Sequence, residues 1–299
     1  MLPSSRLVRL EAMEMSSDQL RALLGVRRFP WRVIWLLFML DLLLVTVVNG
    51  WFGSQDWWLQ EFQFLDGVIQ GDLLINLAII GIILLPAFFL AGVRWSDMGL
   101  DSFGPREGMI FTLLCFNLCL LFVPLASWVS GQSLDWGVRW NLFWVGKVVT
   151  LAVGVALTEE LLYRGFLLRQ MYQRFPRWTH QSRLVFGLVT SQVMFACVHI
   201  PTRLATNTPL ERLPLELFIL FSMGLMFSFV YLRTRSLAAA IGAHFLFDFV
   251  AGLPGAPILP VLTVELTMML VIVIWKHLPL GRLEFFARPR VIPVRDTLH

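Results

Sequence analysis

Residues 142–171 read "LFWVGKVVTLAVGVALTEELLYRGFLLRQM". From Leu142 to Thr158 the only charge is Lys147; Glu159, Glu160, Arg164 and Arg169 then follow inside the same apolar run. The apolar residues are continuous rather than alternating, which marks a helix and not a half-buried strand. A helix rises 1.5 Å per residue, so about 20 such residues cross the roughly 30 Å hydrocarbon core of a bilayer. The stretch therefore predicts a membrane-spanning helix, and it poses a question: why does it carry Glu159, Glu160 and Arg164 in apolar surroundings?

The rest of the chain has the same character. Of its 299 residues 57% are hydrophobic and only 15% charged, with a mean hydropathy of +0.72. Soluble domains average about 45–50% apolar and about 25% charged. The excess falls in blocks of membrane-crossing length, at 33–52, 73–93, 108–129, 142–164, 184–200, 214–232, 236–253 and 257–275. Lipid offers no hydrogen bonds to a backbone, so spanning segments are helices or closed barrels. The expected fold is all-α: a polytopic membrane protein with about eight transmembrane helices, its core formed by helix–helix contact.

Basic residues cluster in alternate connections. Arg6, Arg9, Arg21, Arg27, Arg28 and Arg32 precede the first span. Arg94 and Arg106 follow the second, Arg169, Arg174, Arg177 and Arg183 the fourth, and Arg233 and Arg235 the sixth. Lys276, Arg282, Arg288, Arg290 and Arg295 lie at the C-terminal end. The connection after the first span instead carries Asp56, Glu61, Asp66 and Asp72. The positive-inside rule then places both termini in the cytoplasm. Basic loops facing anionic lipid account for the net charge of +4, so membrane lipid is the expected partner and nucleic acid is not. About thirty polar and basic residues precede the first apolar run, unlike a signal peptide. Within them "SSDQLRALLG" reads as a short capped amphipathic helix at the membrane surface. Many Arg and few Lys, with cytoplasmic termini, point to a bacterial inner membrane. Cys115, Cys119 and Cys197 all fall within spans and read as small hydrophobes rather than disulfides or a metal cluster.

An ionisable side chain in a span costs about 2.5–3.5 kcal/mol on insertion scales and is usually functional or paired. Glu160 lies four residues before Arg164, the favourable order for a helical ion pair. Glu159 points about 100° away, on the side of Tyr163, and lacks a basic partner on its own helix. One glutamate is then structural and the other is available as a general base. Two further spans repeat the pattern. In "TSQVMFACVHIP" Phe195 and His199 share a face; in "AAAIGAHFLFDF" His244 and Asp248 do. Ala238, Ala239, Ala240, Gly242 and Ala243 let another helix approach closely there. Bundle interiors are where such groups converge. Glu159 and His199 reach the same depth only if the fourth helix continues past Arg164 through "GFLLRQM". Asp41, Lys147 and Glu265 are assigned to hydrogen bonds with neighbouring helices or to the interface.

Glu159-Glu160-x-x-x-Arg164, Phe195-x-x-x-His199 and His244-x-x-x-Asp248 together resemble the signature of the CAAX-protease and bacteriocin-processing family of intramembrane proteases. "EELLYRGFLL" and "YLRTRSLAAAIGAHFLFDF" resemble the flanks of its first and last motifs. The match covers roughly residues 147–252. The resemblance implies an eight-helix fold with a conical cavity open to the cytoplasmic side. It divides the chain into a cytoplasmic N-terminal amphipathic segment, 1–32; N-terminal transmembrane helices, 33–140; the catalytic helices, 141–254; and a last helix with a cytoplasmic tail, 255–299. Glu159 would activate a water, Glu160 and Arg164 would support it, and His199 would position or protonate the water. His244 and residue 248 would stabilise the oxyanion. That last position is often Asn in the prenyl-protein proteases of the family, and an ionised Asp248 would repel an oxyanion. Asp248 is therefore protonated, orients His244, or binds a metal.

Two His and two carboxylates could hold zinc, yet no helical zinc signature such as His-Glu-x-x-His is present. The expectation is no cofactor, with zinc the alternative. The implied activity is an endopeptidase that cleaves a peptide or membrane-protein substrate near the cytoplasmic face. The rivals are a non-catalytic immunity or scaffold protein on the same fold, and a proton-coupled transporter. The transporter predicts internal repeats, which the sequence lacks.

Overall fold

The computed structural model describes residues 16–47, 69–131, 142–252 and 258–277. Arg6, Arg9, the acidic stretch holding Asp56, Glu61 and Asp66, Arg139, and the tail beyond His277 lie outside the described residues. Within them the chain is helical throughout, with no β-strand.

The first helix, α1 (Ser17–Leu24), is the amphipathic segment expected from sequence. Ser16 accepts from the Gln19 amide while the Gln19 side chain accepts from the Ser16 amide, closing a capping box. Leu20, Leu23 and Leu24 are buried against the bundle. Pro30 fixes an extended entry into α2 (Trp31–Val45). α3 (Gly71–Phe89) ends at a pair of short turns, Trp95–Met98 and Leu100–Ser102, before α4 (Pro105–Val129). Pro105 occupies the first turn of α4, where its missing N–H is harmless.

α5 (Leu142–Tyr172) is one unbroken helix whose middle widens into π-type turns at Thr150–Ala156 and Leu161–Leu168. It passes through "GFLLRQM", as a shared site requires. α6 (His180–Val198) is capped by the Thr179 hydroxyl, and a short helix, Ile200–Ala205, continues past His199. α7 (Leu213–Thr234), α8 (Leu237–Ala251) and α9 (Ile258–Ile274) complete the bundle. Ser236 both caps α8, accepting from the Ala239 amide, and donates to the carbonyls of Phe103 and Gly104. That ties the start of α8 to the start of α4.

Helices thus stand at each of the eight predicted places. Four are long and apolar enough to cross a membrane: α4, α5, α6 with its extension, and α7. Leu73–Leu84, Leu237–Ala251 and Val261–Ile274 are shorter apolar helices. α2 and α8, at 15 residues each, rise only about 22 Å.

The core falls into two apolar clusters. One joins α1, α2 and α3 to α5 and α6, with Leu37, Tyr163 and Phe166 at its centre. The other joins α4, α7, α8 and α9 around Phe111, Phe227 and Val264. The small residues of α8 serve the expected close approach. Gly108 of α4 lies against Ala238, and Gly242 against Thr112, with no room for a side chain at either glycine. Cys115 and Cys119 are buried and unpaired in the second cluster, as small hydrophobes.

Candidate active site

The structure brings all six predicted polar residues together from three helices. Glu159, Glu160 and Arg164 come from α5, His199 from the end of α6, and His244 and Asp248 from α8.

Glu160 and Arg164 form the ion pair that their spacing predicts, with Arg164 Nη1 donating to Glu160 Oε1 at 2.8 Å and neither side chain exposed. Burying such a pair is tolerable only when the remaining donors and acceptors also find partners. Arg164 Nη2 donates to Gln192 Oε1 at 3.0 Å and to the Gly224 carbonyl at 2.9 Å. The guanidinium also lies over the rings of Phe195 and Phe227, at 4.7 and 5.4 Å. Gly224 is a glycine for a visible reason: a Cβ there would strike the Gln192 side chain. Gln192 in turn donates to Ser228 Oγ at 2.9 Å. The pair is therefore the centre of a polar network linking α5, α6 and α7.

On this base stands His244. Its Nδ1 lies 2.9 Å from Glu160 Oε1, and its ring stacks on Phe227 at 4.6 Å and 17°. Those two contacts fix the ring, so Nε2 points to Asp248 Oδ2 at 3.3 Å and Glu159 Oε2 at 3.6 Å. Asp248 therefore stands beside the imidazole, the arrangement of an orienting carboxylate.

His199 closes the cluster from the other side. Its Nδ1–H donates to the Phe195 carbonyl at 2.8 Å, and its ring packs edge-on against Phe195. This leaves Nε2 facing Glu159 Oε1 at 3.8 Å. Glu159 thus offers one carboxylate oxygen to each imidazole, at distances beyond a direct hydrogen bond. Its Oε2 is buried without a hydrogen-bond partner among the described residues. Separations of this size between polar groups are those a bridging water joins. Glu160 is held through its Oε1 by Arg164 and His244, while its Oε2, like that of Glu159, has no hydrogen-bond partner among the described residues.

Two features escaped the sequence reading. Gln192 and Ser228 hold Arg164 in place; Gln192 lies seven residues before His199, two turns down one face, and that spacing was its available signal. Asp41, placed only on a neighbouring-helix contact, accepts from Tyr163 Oη at 2.7 Å. Tyr163 lies one turn beyond Glu159, so α2 braces the same segment of α5.

Among the described residues no group of three His, Cys, Asp or Glu is arranged to hold a metal ion.

An all-helical bundle of membrane-spanning length, with a carboxylate and two imidazoles gathered over a buried ion pair, has the makings of a membrane-embedded hydrolase. Residues 140–250 match the family model described as "Type II CAAX prenyl endopeptidase Rce1-like", and that span contains all six site residues. Over that span the chain is similar to the CAAX-protease and bacteriocin-processing family. The comparisons with curated proteins and with solved structures found no match.

Proposed function

We propose that this protein is an integral-membrane endopeptidase in which Glu159 activates a water molecule. The observation that supports this best is the Glu159 carboxylate held between the Nε2 atoms of His199 and His244 while Oε1 of its neighbour Glu160 is bound to Arg164 and His244.

Glu159 takes a proton from water as the water oxygen bonds to the scissile carbonyl carbon. The carbonyl oxygen becomes the oxyanion of a tetrahedral intermediate, and the Nε2–H of His244 is placed to donate to it. Asp248 orients that ring and does not itself meet the oxyanion, which accommodates Asp where Asn is frequent in the family. His199 holds the attacking water against Glu159. The proton on Glu159 then passes to the amide nitrogen, the C–N bond breaks, and a carboxylate and an amine leave. Glu160 and Arg164 are positioning residues: they hold the helix and, through Nδ1, the His244 ring.

The substrate is a peptide or membrane protein, and the bacterial inner membrane suits the arginine-rich loops. The resemblance puts the reaction near the cytoplasmic face.

The test compares new protein termini in membranes of cells expressing the wild type or Glu159→Gln at equal levels. Termini found only with the wild type are expected. Identical termini from both would leave a scaffold or immunity role on the same fold.

A further inference from the structure

Asp41 is a buried ionisable residue that the six-residue cluster leaves unexplained. It stands on α2 (Trp31–Val45), outside the 140–250 span that carries the rest of the site. An ionisable group within a span is costly, so a partner and a task are expected of it. Packing supplies no task. Ile34, Leu37 and Phe38 of α2 already meet Leu162, Phe166 and Leu167 of α5, and an apolar residue at position 41 would extend that contact without a charge.

The partner is Tyr163, whose hydroxyl donates to Asp41 Oδ2 at 2.7 Å. Tyr163 is itself buried, lies four residues past Glu159, and stands in the π-type turn Leu161–Leu168. Regular α geometry would set Glu159 and Tyr163 on one face unaided. A π-type turn carries i→i+5 bonds and departs from that register, and such turns recur at functional sites. The bond to α2 supplies a fixed point that the widened helix lacks.

From Tyr163 the contacts lead to His199. The Tyr163 ring meets Phe195 edge-on, at 5.1 Å and 79°. Phe195 holds His199 twice: its carbonyl accepts from Nδ1–H at 2.8 Å, and its ring packs on the imidazole at 4.9 Å. The Arg164 guanidinium lies over the same Phe195 ring at 4.7 Å. Phe195 thus rests on two adjacent residues of α5: Arg164, fixed by Glu160, and Tyr163, fixed by Asp41. Asp41 also lies close enough to Glu159 and His199 to interact with the charge of each.

We infer that Asp41 and Tyr163 are positioning residues of the site: their hydrogen bond holds Phe195, and through it His199, in place beside Glu159. α2 is then a working part of the site and not only a wall of the bundle. The role rests on the proteolytic reading above, in which His199 and Glu159 share the attacking water.

Three variants test it, with kcat and KM measured on one peptide substrate taken from the termini comparison. Folding is checked by protection of the buried Cys115 and Cys119 from a thiol reagent. Tyr163→Phe removes one oxygen and keeps the ring. A misplacement of about 1 Å can cost about a hundredfold, so kcat is expected to fall about tenfold to a hundredfold with KM little changed. Asp41→Asn retains an oxygen that accepts from Tyr163 and should keep kcat within about threefold of wild type. Asp41→Leu should lose as much as Tyr163→Phe, and the two together no more than either alone. Where Asp41→Leu does not stay folded, the comparison of Tyr163→Phe with Asp41→Asn decides. Wild-type kcat in the folded variants, a change confined to KM, an equal loss in Asp41→Asn, or additive losses would each overturn the positioning role. Glu159-dependent cleavage by the wild type would then leave the proteolytic reading standing. Without such cleavage that reading falls, and this role with it.

Discussion

Replacing Glu160 by Gln is the sharpest test of the network under the site. Arg164 is fully buried and bonds to Glu160, Gln192 and the Gly224 carbonyl. Breaking one side of a buried ion pair costs about 3–5 kcal/mol, because a charge is stranded. An interhelical hydrogen bond in a membrane protein is worth about 0.6 kcal/mol. Glu160→Gln is therefore expected to destabilise by about 3 kcal/mol. Arg164→Met should cost about 4 kcal/mol, the pair plus the two interhelical bonds at about 0.6 each. Independent effects would sum to about 7 kcal/mol in the double variant; with no charge left stranded it should cost only about 1, the two interhelical bonds, a coupling of about 6. Unfolding in mild detergent can be read by a fluorogenic thiol reagent, since Cys115 and Cys119 are 0% and 4% exposed in the folded state. Single variants within about 0.5 kcal/mol of wild type, or an additive double variant, would refute the coupled network.

Other outcomes follow from the same geometry. Asp248→Asn keeps an oxygen beside His244 Nε2 and should retain activity within about tenfold, whereas Asp248→Leu should lose about a hundredfold or more, both read as kcat on one substrate. Tyr163→Phe removes the hydroxyl bonded to Asp41 and leaves that carboxylate buried without its partner, costing about 1–3 kcal/mol in the same thiol assay. Gly165→Ala drives a methyl group into the Met98 backbone carbonyl, so about 1–3 kcal/mol of destabilisation is expected. With no step routed through a metal, prolonged chelation should leave the cleavage rate unchanged, and loss restored by zinc would contradict that.

What the sequence revealed was local to each helix. Glu160 and Arg164, Phe195 and His199, and His244 and Asp248 are each four apart, so helical geometry alone sets them on shared faces. The separation of Glu159 from Glu160 follows from the same arithmetic. What it withheld was tertiary. Nothing in "TSQVMFACVHIP" says that Gln192 will reach a guanidinium on another helix, or in "LLFMLDLLLV" that Asp41 will meet Tyr163. Span counting was limited in a different way. Hydropathy marks α2 and α8 as apolar, but each is only 15 residues long, and apolarity alone cannot tell a full crossing from a helix that turns back within the bundle.

The most direct test of the central claim uses the purified full chain in lipid bicelles with a proteome-derived peptide library in ¹⁸O-labelled water. The account predicts discrete cleavage products carrying one ¹⁸O in each new carboxylate with the wild type, and none with a Glu159→Gln variant that keeps its buried cysteines protected. Products formed equally by that variant, or none from a folded wild type under conditions where the cellular termini appear, would contradict it.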